Sequence, residues 1–237
     1  MKHKPYDKNA EYGYAPGVFP SMELLSARPE AMLELLYRQE GLRNEGVAAL
    51  MEACVARGIP AQEAPRALER IAGKENCYAA AVFEKYACAL RPERDHLVLC
   101  GVSDMGNFGT IVRTALGFGV EDIAVIRPAA DVFDPRVVRA SMGALFRANV
   151  AYFDDFAHYE TAAGRRESFF FRLQNAVPIG SVRRGGEPLS LVFGNESSGL
   201  TGELLTRETG VVIPHGGAID SLNLSVAVGI GLYTCKS

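Results

Sequence analysis

Near residue 92 the spacing of hydrophobic positions along this chain changes its period. Before that point apolar residues recur at three- and four-residue intervals, the rhythm of amphipathic helices. Ser21-Met22-Glu23-Leu24-Leu25 sets a capping serine before a short helix. Across Pro29 to Tyr37, Met32, Leu35 and Leu36 keep helical spacing behind a proline, which predicts a second helix. Val47 to Arg57 repeats the pattern through Leu50, Met51, Cys54 and Val55 and stops at Gly58. Ile59-Pro60 reads as a strand edge, and Ala64 to Ile71 and Cys77 to Leu90 suit either helix or strand. Residues 1–16 are polar, contain Pro5 and Pro16, and read as a loosely held arm carrying Tyr6, Tyr12 and Tyr14.

Arg91-Pro92-Glu93-Arg94-Asp95 is charged and broken by proline, as a linker would be. Beyond it, short apolar runs alternate with helical stretches. Leu97 to Val102, Ile123 to Ile126, Ala148 to Phe153, Phe169 to Leu173, Leu189 to Phe193 and Val211 to Ile213 are strand candidates. Asn107 to Phe118, Pro135 to Ser141 and Ser221 to Tyr233 are helix candidates. This alternation predicts an α/β fold with a mostly parallel sheet covered on both faces. The expected division is residues 1–92, an arm and a small α+β domain, and residues 93–237, the α/β domain.

Composition narrows the class. With 48% hydrophobic and 22% charged residues, the chain reads as an ordinary globular protein. No apolar run approaches the roughly 20 residues of a membrane helix. The basic start Met1-Lys2-His3-Lys4-Pro5 is not followed by the apolar core of a secretion signal. Cys54, Cys77, Cys88, Cys100 and Cys235 are odd in number and form no CxxC pair, so neither a disulfide framework nor a zinc site is expected. Scattered thiols fit a cytoplasmic protein. Residues 1–92 are charge-balanced, and residues 93–237 carry the net charge of −3. A nucleic-acid partner would therefore need a local basic patch, or one assembled by two subunits.

Three segments place small and polar residues where an apolar strand meets a loop or a helix start. Asp104-Met105-Gly106-Asn107-Phe108-Gly109 follows a strand and opens a helix, where α/β folds bind ligands. Only Gly106 and Gly109 are present, so the dinucleotide fingerprint is absent and a nicotinamide cofactor is disfavoured. A tight turn with a helix cap would explain the glycines but not Arg113, an arginine among Ile111, Val112 and Ala115, whose planar fork suits phosphate. In Gly194-Asn195-Glu196-Ser197-Ser198-Gly199 two glycines bracket a carboxylate. Glu196 could accept from a ligand, brace the loop through backbone N–H groups, or sit solvated in a turn. The third segment ends a strand at Ile213-Pro214 and reaches Ser221, a good helix cap, and Asn223, whose amide both donates and accepts. Ala227, Gly229 and Gly231 then suit close helix packing.

In this order and spacing the segments resemble the three motifs of the SpoU/TrmH family of SPOUT RNA methyltransferases, over about residues 95–235. Asn107, Gly109 and Arg113 fall on the first motif, Gly194, Glu196 and Gly199 on the second, and Ser221, Leu222, Asn223 and Ser225 on the third. Residues 17–90 are similar, less specifically, to the small RNA substrate-binding domain that many members carry in front.

The resemblance implies a C-terminal trefoil knot, a homodimer built through it, and S-adenosyl-L-methionine as cofactor. It places Gly194, Asn195, Ile213, Pro214, Leu222 and Leu224 at that cofactor. It implies 2′-O-methylation of a ribose in rRNA or tRNA, with Arg113 acting on the hydroxyl and Asn107, Glu196, Ser221 and Asn223 ordering ribose and loops. Two further readings stay open: a knotted RNA- and cofactor-binding protein without turnover, and a base-methylating enzyme of the same fold.

Overall fold

The computed structural model describes residues 3–72, 77–207 and 209–236. The chain packs as two units: Met1–Tyr86 with Asp131–Arg147, and Ala87–Ala130 with Ala148–Ser237. A single cut near residue 92 does not reproduce this division, because a segment from the middle of the chain joins the first unit.

The first unit runs β1 (Tyr12–Pro16), α1 (Val18–Ala27), β2 (Met32–Tyr37), α2 (Glu45–Ala56), β3 (Ala61–Glu63), α3 (Pro65–Ala72) and β4 (Ala79–Glu84). Its sheet has the order β1-β4-β2-β3. Met32 to Tyr37 is a strand, not the helix expected from spacing. The helix-like interval arises because Leu35 and Leu36 are both fully buried, on opposite faces of a covered sheet. Leu36 packs with Ala67, Leu68 and Ile71 of α3. A register shift between Met32 and Glu34 further obscures the alternation.

Within the N-terminal stretch, residues 4–14 are pinned rather than loose. The Tyr14 hydroxyl donates to the Lys4 carbonyl at 2.7 Å, and the Tyr6 hydroxyl donates to the Asp131 carboxylate. Lys85 donates to the Asp7 and Lys8 carbonyls at 3.2 and 3.0 Å.

The second unit contributes β5 (His96–Cys100), α4 (Met105–Gly117) and β6 (Asp122–Ile126). The chain then makes its excursion into the first unit, through α5 (Pro135–Ala140). There Phe133 and Phe146 meet the Phe83 ring edge-on, with centroids 5.5 and 5.1 Å away. At Gly143, φ is +81° and an added Cβ would lie 2.8 Å from the Pro20 Cα, so only glycine fits.

On returning, the chain forms β7 (Asn149–Phe153), α6 (Phe156–Ala163), β8 (Glu167–Phe171), β9 (Val177–Pro178), β10 (Leu189–Phe193), β11 (Gly210–Val212) and α7 (Leu224–Lys236). The hydrophobic pattern had not shown α6 or β9. The seven strands take the order β7-β6-β5-β10-β8-β11-β9, and every pairing is parallel. α6 packs Phe156, Tyr159 and Ala163 against Val98, Ala124, Phe170 and Val192 of the sheet. α4 buries Phe108, Ile111, Val112 and Ala115. The final helix begins at Leu224, three residues later than Ser221. Among the described residues no helix is long and apolar enough to cross a membrane.

A buried polar knot of side chains sits where β5 and β10 begin. His96 is 1% exposed. Its Nε2 lies 3.0 Å from the Arg91 carbonyl and its Nδ1 lies 3.1 Å from the Tyr159 hydroxyl. The carbonyl can only accept, so Nε2 carries the proton and Nδ1 accepts from Tyr159. Tyr159 in turn meets the Ser190 hydroxyl at 2.5 Å.

Candidate functional site

Strand order reverses between β5 and β10, since β6 and β7 run outward from one and β8 from the other. Such a switch point opens a crevice at the C-terminal ends of the strands. The loops leaving β5 and β10 meet there. Asn195 donates from Nδ2 to the Gly101 carbonyl at 2.7 Å, and its Oδ1 accepts from the Ser197 and Ser198 N–H groups at 2.8 and 3.2 Å. The loop closes on itself through paired backbone bonds between Asn195 and Gly199, and Gly199 has φ +65°. At Gly194 an added Cβ would lie 2.0 Å from the Gly199 carbonyl carbon, so no side chain can stand there.

Glu196 braces this crevice. Its carboxylate accepts from the Ser103 N–H and hydroxyl at 3.3 and 3.2 Å, and from the Asp104 N–H at 3.1 Å. Of the roles open to it, the loop brace is the one the geometry shows. Asp104 then caps α4, accepting from the Asn107 N–H at 2.7 Å. Cys100, the last residue of β5, offers no thiolate here, because burial pushes its thiol up to about 12.

Beside this loop lies a cavity of about 400 Å³. Gly194, Asn195, Glu196, Ile213, Ser221, Leu222 and Leu224 line it, as do Arg172 and the Phe171 and Phe193 rings. Those rings stack at 3.9 Å and 16°. Gly231 of α7 lies against them, where a Cβ would come within 2.7 Å of Phe171. Of the expected cofactor residues, Pro214 alone does not line the cavity, although Ile213 before it and His215 after it do.

Of the remaining expected residues, Asn107 and Asn223 meet at the starts of α4 and α7, and Arg113 lies further along α4. Asn223, not Ser221, caps α7: its Oδ1 accepts from the Ser225 N–H and hydroxyl at 2.9 and 2.7 Å. Asn223 also donates from Nδ2 to Asn107 Oδ1 at 3.1 Å. Arg113 lies six residues beyond Asn107 on α4, about 9 Å along the axis, and is exposed. Its guanidinium has no hydrogen bond or ion pair to a described residue, and it does not line the cavity. α7 packs on α4 with Gly229 facing Thr114, and Phe118 meets Tyr233 edge-on at 6.4 Å.

Sequence reasoning missed Arg172, the stacked phenylalanines and Ser103. Arg172 was visible only as a charge at the end of an apolar strand, and Phe171 with Phe193 only as apolar positions. Ser103 carried no local signal.

The chain is similar to known proteins over this unit. The sequence model of the SpoU rRNA Methylase family matches residues 95–233. A Bacillus subtilis protein, 23S rRNA (guanosine(2553)-2′-O)-methyltransferase RlmP, is 31% identical across 63% of this chain and 59% of its own length. An Acinetobacter baylyi protein, 23S rRNA (guanosine-2′-O-)-methyltransferase RlmB, is 28% identical across 94% of this chain and 95% of its own. A Streptomyces laurentii 23S rRNA (adenosine(1067)-2′-O)-methyltransferase is 35% identical, but the match covers 59% of this chain and only 53% of that protein. Among solved structures, an AdoMet-bound rRNA methyltransferase from Sinorhizobium meliloti superposes with a TM-score of 0.79 at 27% identity, covering 94% of this chain and 86% of that one.

Proposed function

The chain belongs to the SpoU rRNA methylase family, and on that premise we propose that it transfers a methyl group from S-adenosyl-L-methionine to a ribose 2′-hydroxyl of RNA. The observation that carries this is the junction of cavity and helix starts. The second and third motifs wall one cavity, while the first meets the third through Asn107 and Asn223. The size of the cavity and its mix of aromatic wall and main-chain polar edges suit a small cofactor. Gly194, Asn195, Ile213, Leu222 and Leu224 would hold S-adenosyl-L-methionine, with Pro214 shaping the turn. When bound, it supplies an electrophilic methyl on a sulfonium.

The protein's part is positioning. Arg113 grips the phosphate beside the target ribose and orients the hydroxyl. A guanidinium holds its protons too firmly to be a good base, so the role assigned to Arg113 is grip and orientation. Asn107 and Asn223 order the ribose, and Glu196 and Ser221 hold the loops. The RNA is rRNA or tRNA, and the relatives named for 23S rRNA favour rRNA. The first unit serves as the substrate-binding domain.

The same reading includes a trefoil knot. Its support is the path of the last segment, which leaves β11 and reaches α4 through Asn223 after passing the Gly194–Gly199 loop. It also includes a cytoplasmic homodimer. Val226 and Tyr233 of α7 stay 50% and 66% exposed, beside the partly exposed Phe118, an apolar face that a second copy would cover. An Arg113 without a partner among the described residues fits an RNA site that two subunits complete.

The test is transfer of tritiated methyl from S-adenosyl-L-methionine to total RNA of a strain lacking the gene. Label that survives alkali in a protected dinucleotide is the expected result. Cofactor binding without label would favour a protein without turnover, alkali-labile linkages a base target, and no binding would overturn the assignment.

A further inference from the structure

We propose that Arg172 is a positioning residue that holds one wall of the cofactor cavity, an inference that rests on the reading of that cavity as the S-adenosyl-L-methionine site. Arg172 directly follows β8. Every hydrogen bond it makes among the described residues goes to a main-chain carbonyl. Nε and Nη2 donate to Asn175 at 3.2 and 2.9 Å. Nη1 donates to Leu204 at 3.2 Å and to Leu205, and Nη2 donates to Arg207 at 2.7 Å.

These carbonyls belong to two separate segments. Asn175 lies in the turn after β8, in a left-handed conformation with φ +51°. Leu204 and Leu205 end a 3₁₀ turn, Gly202–Leu205, whose last carbonyls have no partner within the turn. One guanidinium therefore ties the end of β8, the following turn and the stretch through Arg207 into a single unit. Leu173, Gln174 and Leu205, carried by the tied segments, line the cavity together with Arg172.

A second residue is matched to this arrangement. At Gly210, which opens β11, a Cβ would lie 2.2 Å from Arg172 Nε and 2.4 Å from Nη2. The guanidinium occupies the space that any other residue would fill. Lysine cannot replace it, because the three N–H donors of one compact ammonium cannot serve the four carbonyls of Asn175, Leu204, Leu205 and Arg207 as a planar fork with five donors does.

The wall is thus ordered before the cofactor arrives, and binding need not supply the cost of ordering it. Losing the tie should weaken cofactor affinity and spare the transfer step, whose groups lie on α4 and α7. The experiment titrates S-adenosyl-L-methionine into the full-length protein and its Arg172→Lys and Gly210→Ala variants. It also measures methyl transfer to total RNA from a strain lacking the gene, over a range of cofactor concentration. Both variants are expected to raise the cofactor Kd and KM by at least about tenfold, the worth of one charge-assisted hydrogen bond. Transfer at saturating cofactor should stay within about threefold of wild type, the signature of a ground-state binding loss. If Arg172→Lys does not fold, Gly210→Ala carries the same expectation. Wild-type cofactor affinity in the folded variants, or a loss of transfer that saturating cofactor does not restore, overturns the proposal. A wild-type protein that binds no S-adenosyl-L-methionine brings down the cavity reading along with it.

Discussion

Asn223 donates its side-chain amide to Asn107 Oδ1 at 3.1 Å, joining the cap of α7 to the first turn of α4. The bond orients both amides. Asn223 Oδ1 is spent on the start of α7, and Asn107 Oδ1 on Asn223. On the proposed reading, that leaves Asn107 Nδ2 and the second N–H of Asn223 Nδ2 as donors for a ribose or phosphate oxygen. Asn223→Asp keeps the cap acceptor and removes the donor. The variant should fold like wild type by circular dichroism and lose methyl transfer about tenfold or more, on the scale of misplaced positioning groups. Unchanged transfer would detach this pair from the chemistry.

Arg113 is the exposed cation on that helix without a partner among the described residues. Arg113→Ala removes no internal bond, so stability should change by less than about 0.5 kcal/mol. Cofactor titration should stay near wild type, while transfer to RNA falls at least roughly a hundredfold. A variant that still turns over would end the assignment of hydroxyl orientation to Arg113.

Gly194 has no room for a methyl group, since the intruding atoms are the Gly199 and Leu200 backbone. Gly194→Ala must displace the loop that Asn195 and Glu196 hold. Overpacking of this kind costs roughly 1–3 kcal/mol or more. The expected readouts are a lowered midpoint in urea and loss of detectable cofactor binding. A variant with native affinity would show that the loop has slack this geometry does not suggest.

His96 makes stability depend on pH. Burial lowers its pKa to about 4, with the Arg166 charge adding to the effect and the Arg91 carbonyl, Asp122 and Asp95 opposing it. The unfolded chain, with an ordinary histidine near 6.5, binds the proton more readily. The stabilisation is therefore complete above about pH 6.5 and is lost as pH falls towards 4, up to about 3 kcal/mol. Urea midpoints measured from pH 7.5 down to 4.5 should fall in that window. His96→Gln, whatever its own stability, should flatten the slope, and an unaltered slope would assign it to other groups.

Tyr233 and Val226 leave an apolar stripe on α7. Tyr233→Asp puts a charge in it without touching the cavity lining. Sedimentation should show a dimer in the wild type and a monomer in the variant, because an unpaired charge is costly in a buried interface. A wild-type monomer at micromolar concentration would remove the stripe as a subunit contact.

Local patterns made the second unit legible because its central strands are buried on both faces and read as apolar runs, as in Ile123 to Ile126. They made the loops legible where chemistry is local, as with the glycines around Asn195. They failed where a partner lies far along the chain. The brace role of Glu196 depends on Ser103, 93 residues away. Ser221 and Asn223 are equally good caps by residue type, and the contact from Asn223 to Asn107 favours the latter. Leu35 and Leu36 mimicked a helix because a doubly covered strand buries neighbours. Tyr6 and Tyr14 looked idle until Asp131 and the Lys4 carbonyl met them.

The excursion of Asp131–Arg147 has a bearing on how such proteins can be inherited. A front module attached by one linker can be exchanged at a single breakpoint. Here the chain enters the first unit twice, and Val132, Val137, Val138, Leu145 and Phe146 of the later passage are buried. Grafting a foreign front module at residue 86 would leave that passage without the surface it was selected against. Recombination would have to change both passages at once. The first and second units are therefore expected to descend together, and to change by point substitution rather than by shuffling.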